Sequence, residues 1–178
     1  MRHRRHDQRT DLTGEHRIGD AGQIIFACLF LLVWIIDTFF FKYTTFLNGY
    51  VSIFLRFPVG VALLIIAGYL SNTGLSIVFG EERKKPEVIR KGVFGLIRHP
   101  IYLGELLFYL GLLIFSISLS AACVWFLTII FLHYISRHEE KLLVSRFDNE
   151  YKKYMKEVPM WLPRFSSLIG KNEGKMGT

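Results

Sequence analysis

Four apolar stretches dominate this chain of 178 residues: Ala21 to Phe41, Tyr50 to Leu70, Ile101 to Ile117 and Ser118 to Ile135. Each approaches the roughly 20 residues that an α-helix needs to cross a bilayer. The last two abut without a polar loop, and one span covering both would be far too long. Ser116-Ile117-Ser118-Leu119-Ser120 is therefore read as the turn of an antiparallel hairpin. With 51% apolar and 15% aromatic residues and a mean hydropathy of +0.31, the composition excludes an ordinary soluble domain. The expected fold is all-α, a polytopic transmembrane helical bundle of about four spans.

The formal net charge of +7 raises the question of nucleic acid, but the basic residues are sorted by membrane side instead of lining one face. Arg2, Arg4, Arg5, Arg9 and Arg17 precede the first span, and Arg83, Lys84, Lys85, Arg90, Lys91 and Arg98 lie between the second and third. Nine more follow from Arg137 onward, whereas the first inter-span loop holds only Lys42 and the Ser-rich turn none. By the positive-inside rule this predicts a multi-pass integral membrane protein with both termini cytoplasmic and no nucleic-acid partner. Residues 1–20 are too polar for a signal peptide and read as a basic arm. Cys28 and Cys123 sit in separate apolar spans, without metal-ligand or Cys-x-x-Cys spacing, and are expected to be packing residues.

Smaller features divide the chain into 1–20 (arm), 21–79 (two spans), 80–165 (a functional region containing the hairpin) and 166–178 (polar tail). Asp37 and Arg56 fall at similar depth on neighbouring spans and are expected to pair, fixing helix register. Pro58 marks a kink or the first firm turn of the second span. Ser71-Asn72-Thr73-Gly74 is expected to loosen that helix. Val88 to Ile97 mixes apolar and basic residues in the manner of an interfacial segment. Beyond Ile135, the positions Leu142, Leu143, Phe147, Tyr151, Tyr154 and Met155 keep helical spacing among charges, so the fourth span should continue as a cytoplasmic amphipathic helix ending at Val158-Pro159.

Two polar clusters bracket the hairpin. Pro100 suits the first position of a helix, where a missing N–H costs nothing. Arg98 and His99 then stand just outside a helix N-terminus, which favours an anion. Tyr102 and Glu105 follow on the helix itself. On the other limb His133 and Arg137 lie four apart, with Glu139 and Glu140 immediately after. A closed hairpin brings together a cation, an imidazole, a phenol and two carboxylates. That set suits a zwitterionic ligand better than a metal or a phosphate. Each of these residues also has an ordinary reading as an interfacial anchor or a solvated charge. Ionisable groups at the mouth of a membrane hairpin are nonetheless a functional-site hypothesis by default.

The run Gly92-Val93-Phe94-Gly95-Leu96-Ile97-Arg98-His99-Pro100-Ile101-Tyr102-Leu103-Gly104 continues into Glu139-Glu140-Lys141-Leu142-Leu143, Phe147, Glu150-Tyr151, Tyr154 and Val158-Pro159-Met160-Trp161-Leu162-Pro163. Taken together it resembles the isoprenylcysteine carboxyl methyltransferase and phospholipid methyltransferase superfamily. The resemblance covers Gly92 to Pro163. It implies an integral membrane enzyme that uses S-adenosylmethionine without a Rossmann domain and methylates a lipid-like or prenylated acceptor drawn from the bilayer, with no metal. It further implies that His99, Tyr102 and Glu140 bind the cofactor, that the backbone around Gly92, Val93 and Leu96 lines its pocket, and that Glu139 stands at the reaction centre with Arg98 supporting the methionine carboxylate. Glu105 joins this set as a carboxylate near the sulfonium. Two positions depart from the pattern. Ile135 stands where the carboxyl methyltransferases carry an arginine, and Asp148 where a glycine is usual. A carboxylate acceptor wants a cation beside it, so the first departure counts against a prenylcysteine acceptor unless Arg137 or Arg98 substitutes, whereas an amine acceptor wants a base, the role open to Glu139. A nicotinamide-dependent sterol or enone reductase and a non-catalytic membrane scaffold are the alternative classes.

Overall fold

The structure is a computed structural model that describes residues 17–80 and 86–163. Among them every regular element is helical: α1 (Arg17–Ile35) prolonged by a π-helical turn (Ile36–Phe41), a 3-10 turn (Phe46–Gly49), α2 (Ile53–Phe79), a 3-10 turn (Gly92–Gly95), α3 (Pro100–Ser116) and α4 (Leu119–Glu157). Three segments are long and apolar enough to cross a membrane, namely Ala21–Phe41, α2 and α4, and α3 is a shorter apolar helix of 17 residues. The expected all-helical membrane bundle is thus observed. The arm and the tail lie largely outside the described residues.

α2 and α3 pack against each other along their length, and the reason is visible in their small residues. Gly60, Ala67 and Gly74 recur every seven residues on α2, and Gly104 and Gly111 face them from α3. A Cβ on Gly111 would stand 3.2 Å from the Gly60 carbonyl oxygen, so the two backbones approach as closely as side chains permit. This packing overrides the expected loosening at Ser71 to Gly74: α2 runs on unbroken to Phe79, with Gly74 buried beneath Ile101 and Pro100. Ser52 caps its start by accepting a hydrogen bond from the Phe54 N–H at 3.3 Å. Pro58 is accommodated within the first turns of the helix.

α1 packs on α4. Phe26 stacks on Phe131 of α4 at 4.8 Å, and α1 also meets α3, where Phe30, buried completely, stacks on Tyr109 at 4.3 Å and Trp34 donates to the Leu112 carbonyl at 3.0 Å. Cys28 and Cys123 are exposed on the outer faces of their helices, so they are not core packing residues. The hairpin turn falls where expected. Ile117 adopts a left-handed conformation after α3, and the Ser118 side chain caps α4 by accepting from the Ala121 N–H at 3.2 Å.

Asp37 and Arg56 do not pair with each other. Asp37 accepts from the Thr44 N–H at 3.1 Å and from the hydroxyls of Thr44 and Ser118, each at 2.5 Å. The Arg56 guanidinium donates to the Val51 carbonyl at 3.0 Å, the Phe115 carbonyl at 2.6 Å and the Asn48 side chain. Both residues close turns with neutral partners. Val93 and Ile97 are likewise taken up by protein, each only 2% exposed, and Val88 packs against Tyr151, Tyr154 and Val158. The Val88 to Ile97 segment therefore spends its main apolar residues on the fold more than on the headgroup zone. α4 runs from the hairpin turn to Glu157, with Tyr151 and Tyr154 buried and Lys152, Lys153 and Lys156 exposed. It is broken once, at Asp148.

Candidate functional site

The start of α3 is fixed by a short extended pairing with the chain beyond α4. The Arg98 N–H donates to the Pro159 carbonyl at 3.0 Å and the His99 N–H to the Met160 carbonyl at 3.4 Å. Pro100 occupies the first turn of α3, as its ring requires, and His99 is the cap residue. Tyr154 ties the same end of α4 to the 3-10 turn, donating its hydroxyl to the Phe94 carbonyl at 2.7 Å. Within that turn Gly92 takes a φ of +54°, and a Cβ there would stand 2.9 Å from the Ile77 side chain. Both constraints favour glycine at this position.

These restraints bring α3 and α4 together around two adjacent carboxylates. Glu140 is 2% exposed. Its Oε1 lies 3.0 Å from Arg98 Nε and 3.3 Å from His99 Nε2. The Arg98 Nε–H is directed off that oxygen, so the contact is coulombic, whereas the Nη1 of Arg98 donates to the Met155 carbonyl at 3.1 Å. The second oxygen, Oε2, is buried with no hydrogen-bond partner, and its nearest cation is the exposed Arg137 at 4.0 Å. Glu139 accepts from the Tyr102 hydroxyl and lies 3.7 Å from His99 Nδ1. Burial holds the His99 imidazole below its ordinary protonation range, against the opposing pull of Glu140, so the ring is neutral and its Nε2–H donates to the carboxylate.

Aromatic faces surround this polar centre. The His99 ring stacks parallel to Tyr102 at 5.6 Å, and Trp161 lies tilted 6.1 Å from it, with its indole N–H donating to His133 Nδ1 at 3.4 Å. Of the residues expected from sequence, Arg98, His99, Tyr102, Glu139 and Glu140 thus converge. Val93 is buried beside them in the fold of the 3-10 turn, Gly92 shapes that turn, and Leu96 at its end is 37% exposed. Glu105 does not join the cluster. It accepts from Tyr109 at 2.6 Å and from Gln23 at 2.8 Å, on a wall shared with α1. Ile135 is buried at 5% exposure, with no cation in its place. Sequence reasoning missed Trp161 and the carbonyls of Met155, Pro159 and Met160 as parts of the site. The indole stood in the motif run, but nothing in the sequence says that the chain past Pro159 returns to α3.

Arg98 and Glu140 each leave a buried polar atom without a hydrogen bond, on opposite signs of charge and between aromatic rings. A fold that buries such atoms leaves them to a ligand or stores an energetic penalty. The arrangement can hold a molecule carrying both charges. Among the described residues no group of three or more His, Cys, Asp or Glu side chains is placed to hold a metal ion.

A family model described as phospholipid methyltransferase matches residues 55–150, more than half of the chain, and takes in most of α2, all of α3 and most of α4. Arg98, His99, Tyr102, Glu139 and Glu140 all fall inside the match, and Trp161 beyond it. The cobalt-zinc-cadmium resistance protein CzcN of Cupriavidus metallidurans is 32% identical over 91 residues, which are 51% of this chain and 42% of that protein. The chain therefore aligns with less than half the length of this relative.

Proposed function

The chain belongs to the phospholipid methyltransferase family, and from that premise we propose that it is an S-adenosylmethionine-dependent membrane methyltransferase whose acceptor is lipid-like. The observation that carries this proposal is the buried Arg98–His99–Glu140 cluster, in which Glu140 Oε2 has no hydrogen-bond partner and Arg98 Nε meets Oε1 only as an ion pair. These residues fit the cofactor: a guanidinium for the methionine carboxylate, a carboxylate and aromatic faces for the sulfonium, and a neutral imidazole as hydrogen-bonding partner. Bound there, the cofactor supplies an electrophilic methyl group.

The chain's own contribution is positioning and proton handling. Arg98 and His99 are immobilised through their backbone bonds to Pro159 and Met160, so their side chains are pre-set. Tyr102 holds Glu139. Glu139, the carboxylate assigned to the reaction centre, takes the proton that an N–H or O–H acceptor must lose. Gly92, Val93 and Leu96 form the adjoining wall. Ile135 offers no cation to a carboxylate acceptor, Arg98 is assigned to the methionine carboxylate of the cofactor, and Arg137 is exposed.

We place the protein in the membrane with four crossings. α3 supplies one of them although its 17 residues rise only about 25 Å against a hydrocarbon core of about 30 Å. A local thinning of the bilayer then lets lipid approach the start of α3. Both ends of the bundle come to lie on the basic, cytoplasmic side. Purified protein given methyl-labelled S-adenosylmethionine and a total lipid extract tests the proposal. Label should enter the organic phase and fall away in Glu139→Gln. A folded protein that binds NADPH but not S-adenosylhomocysteine, and labels no lipid, would contradict it.

A further inference from the structure

A cavity of about 670 Å³ opens between α1, α2 and α3, away from the His99 cluster. Its size lies within the range of small-molecule sites. Its walls are apolar, with Ile24, Leu31, Leu64 and Phe108 among them, and Glu105 is set into them beside Tyr109 and Gln23. Its lining contains no Lys, Arg or His. A carboxyl group at this depth is costly unless it serves a purpose.

We propose that this groove seats an alkyl-chain amphiphile whose headgroup carries N–H or O–H donors and no negative charge, with Glu105 receiving the headgroup. Three observations converge on that occupant. Glu105 already accepts one bond at each oxygen, from Tyr109 at 2.6 Å and from Gln23 at 2.8 Å, and each oxygen keeps a further lone pair. The free capacity at the carboxylate is therefore for donors, and an anionic headgroup would face it with no cation in the lining. Gly68 lies on the groove wall, and a Cβ there would meet nothing within 4 Å, whereas a Cβ on Gly60, Gly74, Gly104 or Gly111 of the α2–α3 seam would meet protein atoms within 3 Å. Gly68 is exposed, so the groove wall stays open there where an ordinary side chain would fit. Finally, Glu105 stands three residues along α3 from Tyr102, about 4.5 Å of helix rise, and Tyr102 holds Glu139. The groove thus ends one helical turn from the site assigned to methyl transfer. Calling the amphiphile the methyl acceptor rests on the function proposed above, but its seat in the groove does not.

The test uses the full chain in phosphatidylcholine nanodiscs and diazirine-bearing probes built on dodecylamine, dodecanol and dodecanoate, with crosslinks mapped by mass spectrometry. The amine and alcohol probes should label peptides from α1, α2 and α3, at least tenfold above the carboxylate probe. Gly68→Phe should reduce that labelling tenfold or more while S-adenosylhomocysteine binds as in the unaltered protein. Glu105→Gln should bring the amine-to-carboxylate ratio toward one. Equal labelling by the carboxylate probe overturns the inference. So does a groove closed to every probe in a dimeric protein, which would assign the face to a second copy of the chain. Loss of S-adenosylhomocysteine binding in Glu105→Gln with the amine preference intact also overturns it, because Glu105 would then belong to the cofactor. Selective labelling by a protein that binds no S-adenosylhomocysteine leaves the groove standing and removes the methyltransferase proposal.

Discussion

The bundle buries an acid at each end of α3, and the two are treated differently. At the turn into α4, Asp37 receives three hydrogen bonds from Thr44 and Ser118, and nearby Arg56 is spent on carbonyls and Asn48. Every partner is neutral. At the start of α3, Glu140 crowds one oxygen between Arg98 and His99 and leaves the other without a hydrogen bond. A fully satisfied polar cluster is explained by the turn it closes, whereas an under-satisfied one retains capacity for a ligand.

The largest expected difference between the ends is in stability. Arg98→Leu leaves Glu140 buried without its cation and should cost roughly 3–5 kcal/mol, the usual penalty for breaking a buried pair. Arg56→Leu strands only neutral acceptors and should cost about 1–3 kcal/mol. Denaturation in a mild detergent compares the two, and equal losses would erase the distinction. Next comes turnover. Glu139→Gln should slow methyl transfer by about 100-fold or more while cofactor affinity changes little, and an unimpaired rate would remove Glu139 from the chemistry.

A smaller effect distinguishes the ends by pH. Burial holds His99 below its ordinary value of 6.5. The unfolded chain therefore takes up that proton first as the pH falls. The stability contributed by neutral His99 is complete above about pH 6.5 and is lost as the pH drops toward the lower folded value. His99→Gln should flatten the thermal midpoint over that interval, while Asp37→Asn leaves its slope there unchanged. The smallest effect is at the break in α4, where Asp148 holds a φ of +39°. Asp148→Gly should raise stability by about 1 kcal/mol, since glycine adopts such angles at little cost. A lower melting temperature would show that the break is held by the Asp148 side chain and its 2.6 Å contact with Lys152.

Much of this was legible in the sequence, for identifiable reasons. Hydropathy located the spans because lipid exposure is encoded residue by residue, and the Ser-rich turn stood out because nothing else separated two apolar runs. The convergence of Arg98, His99, Tyr102, Glu139 and Glu140 followed from closing one hairpin. What failed depended on packing. Ser71 to Gly74 read as a break because propensity does not register that Gly74 fits under Pro100 and Ile101. The seven-residue recurrence of Gly60, Ala67 and Gly74 was the available signal. Asp37 and Arg56 looked like partners because depth alone was considered, and the competing hydroxyls and carbonyls come from turns whose geometry the sequence does not display. Glu105 was grouped with Tyr102 by helical spacing, yet in the structure its carboxylate is taken by Gln23 and Tyr109. At Asp148, where a glycine is usual, that departure was the one local signal available for the backbone break.

The central claim is that the under-satisfied end binds the cofactor and the satisfied end does not. Calorimetric titration with S-adenosylhomocysteine tests it most directly, on the unaltered chain, Glu140→Gln and Asp37→Asn, each shown to be folded. One ligand per chain should bind, about tenfold or more weaker in Glu140→Gln, as for a lost charge-assisted contact, and with unaltered affinity in Asp37→Asn. Absence of binding to the unaltered chain, or equal affinities in all three proteins, would contradict the assignment.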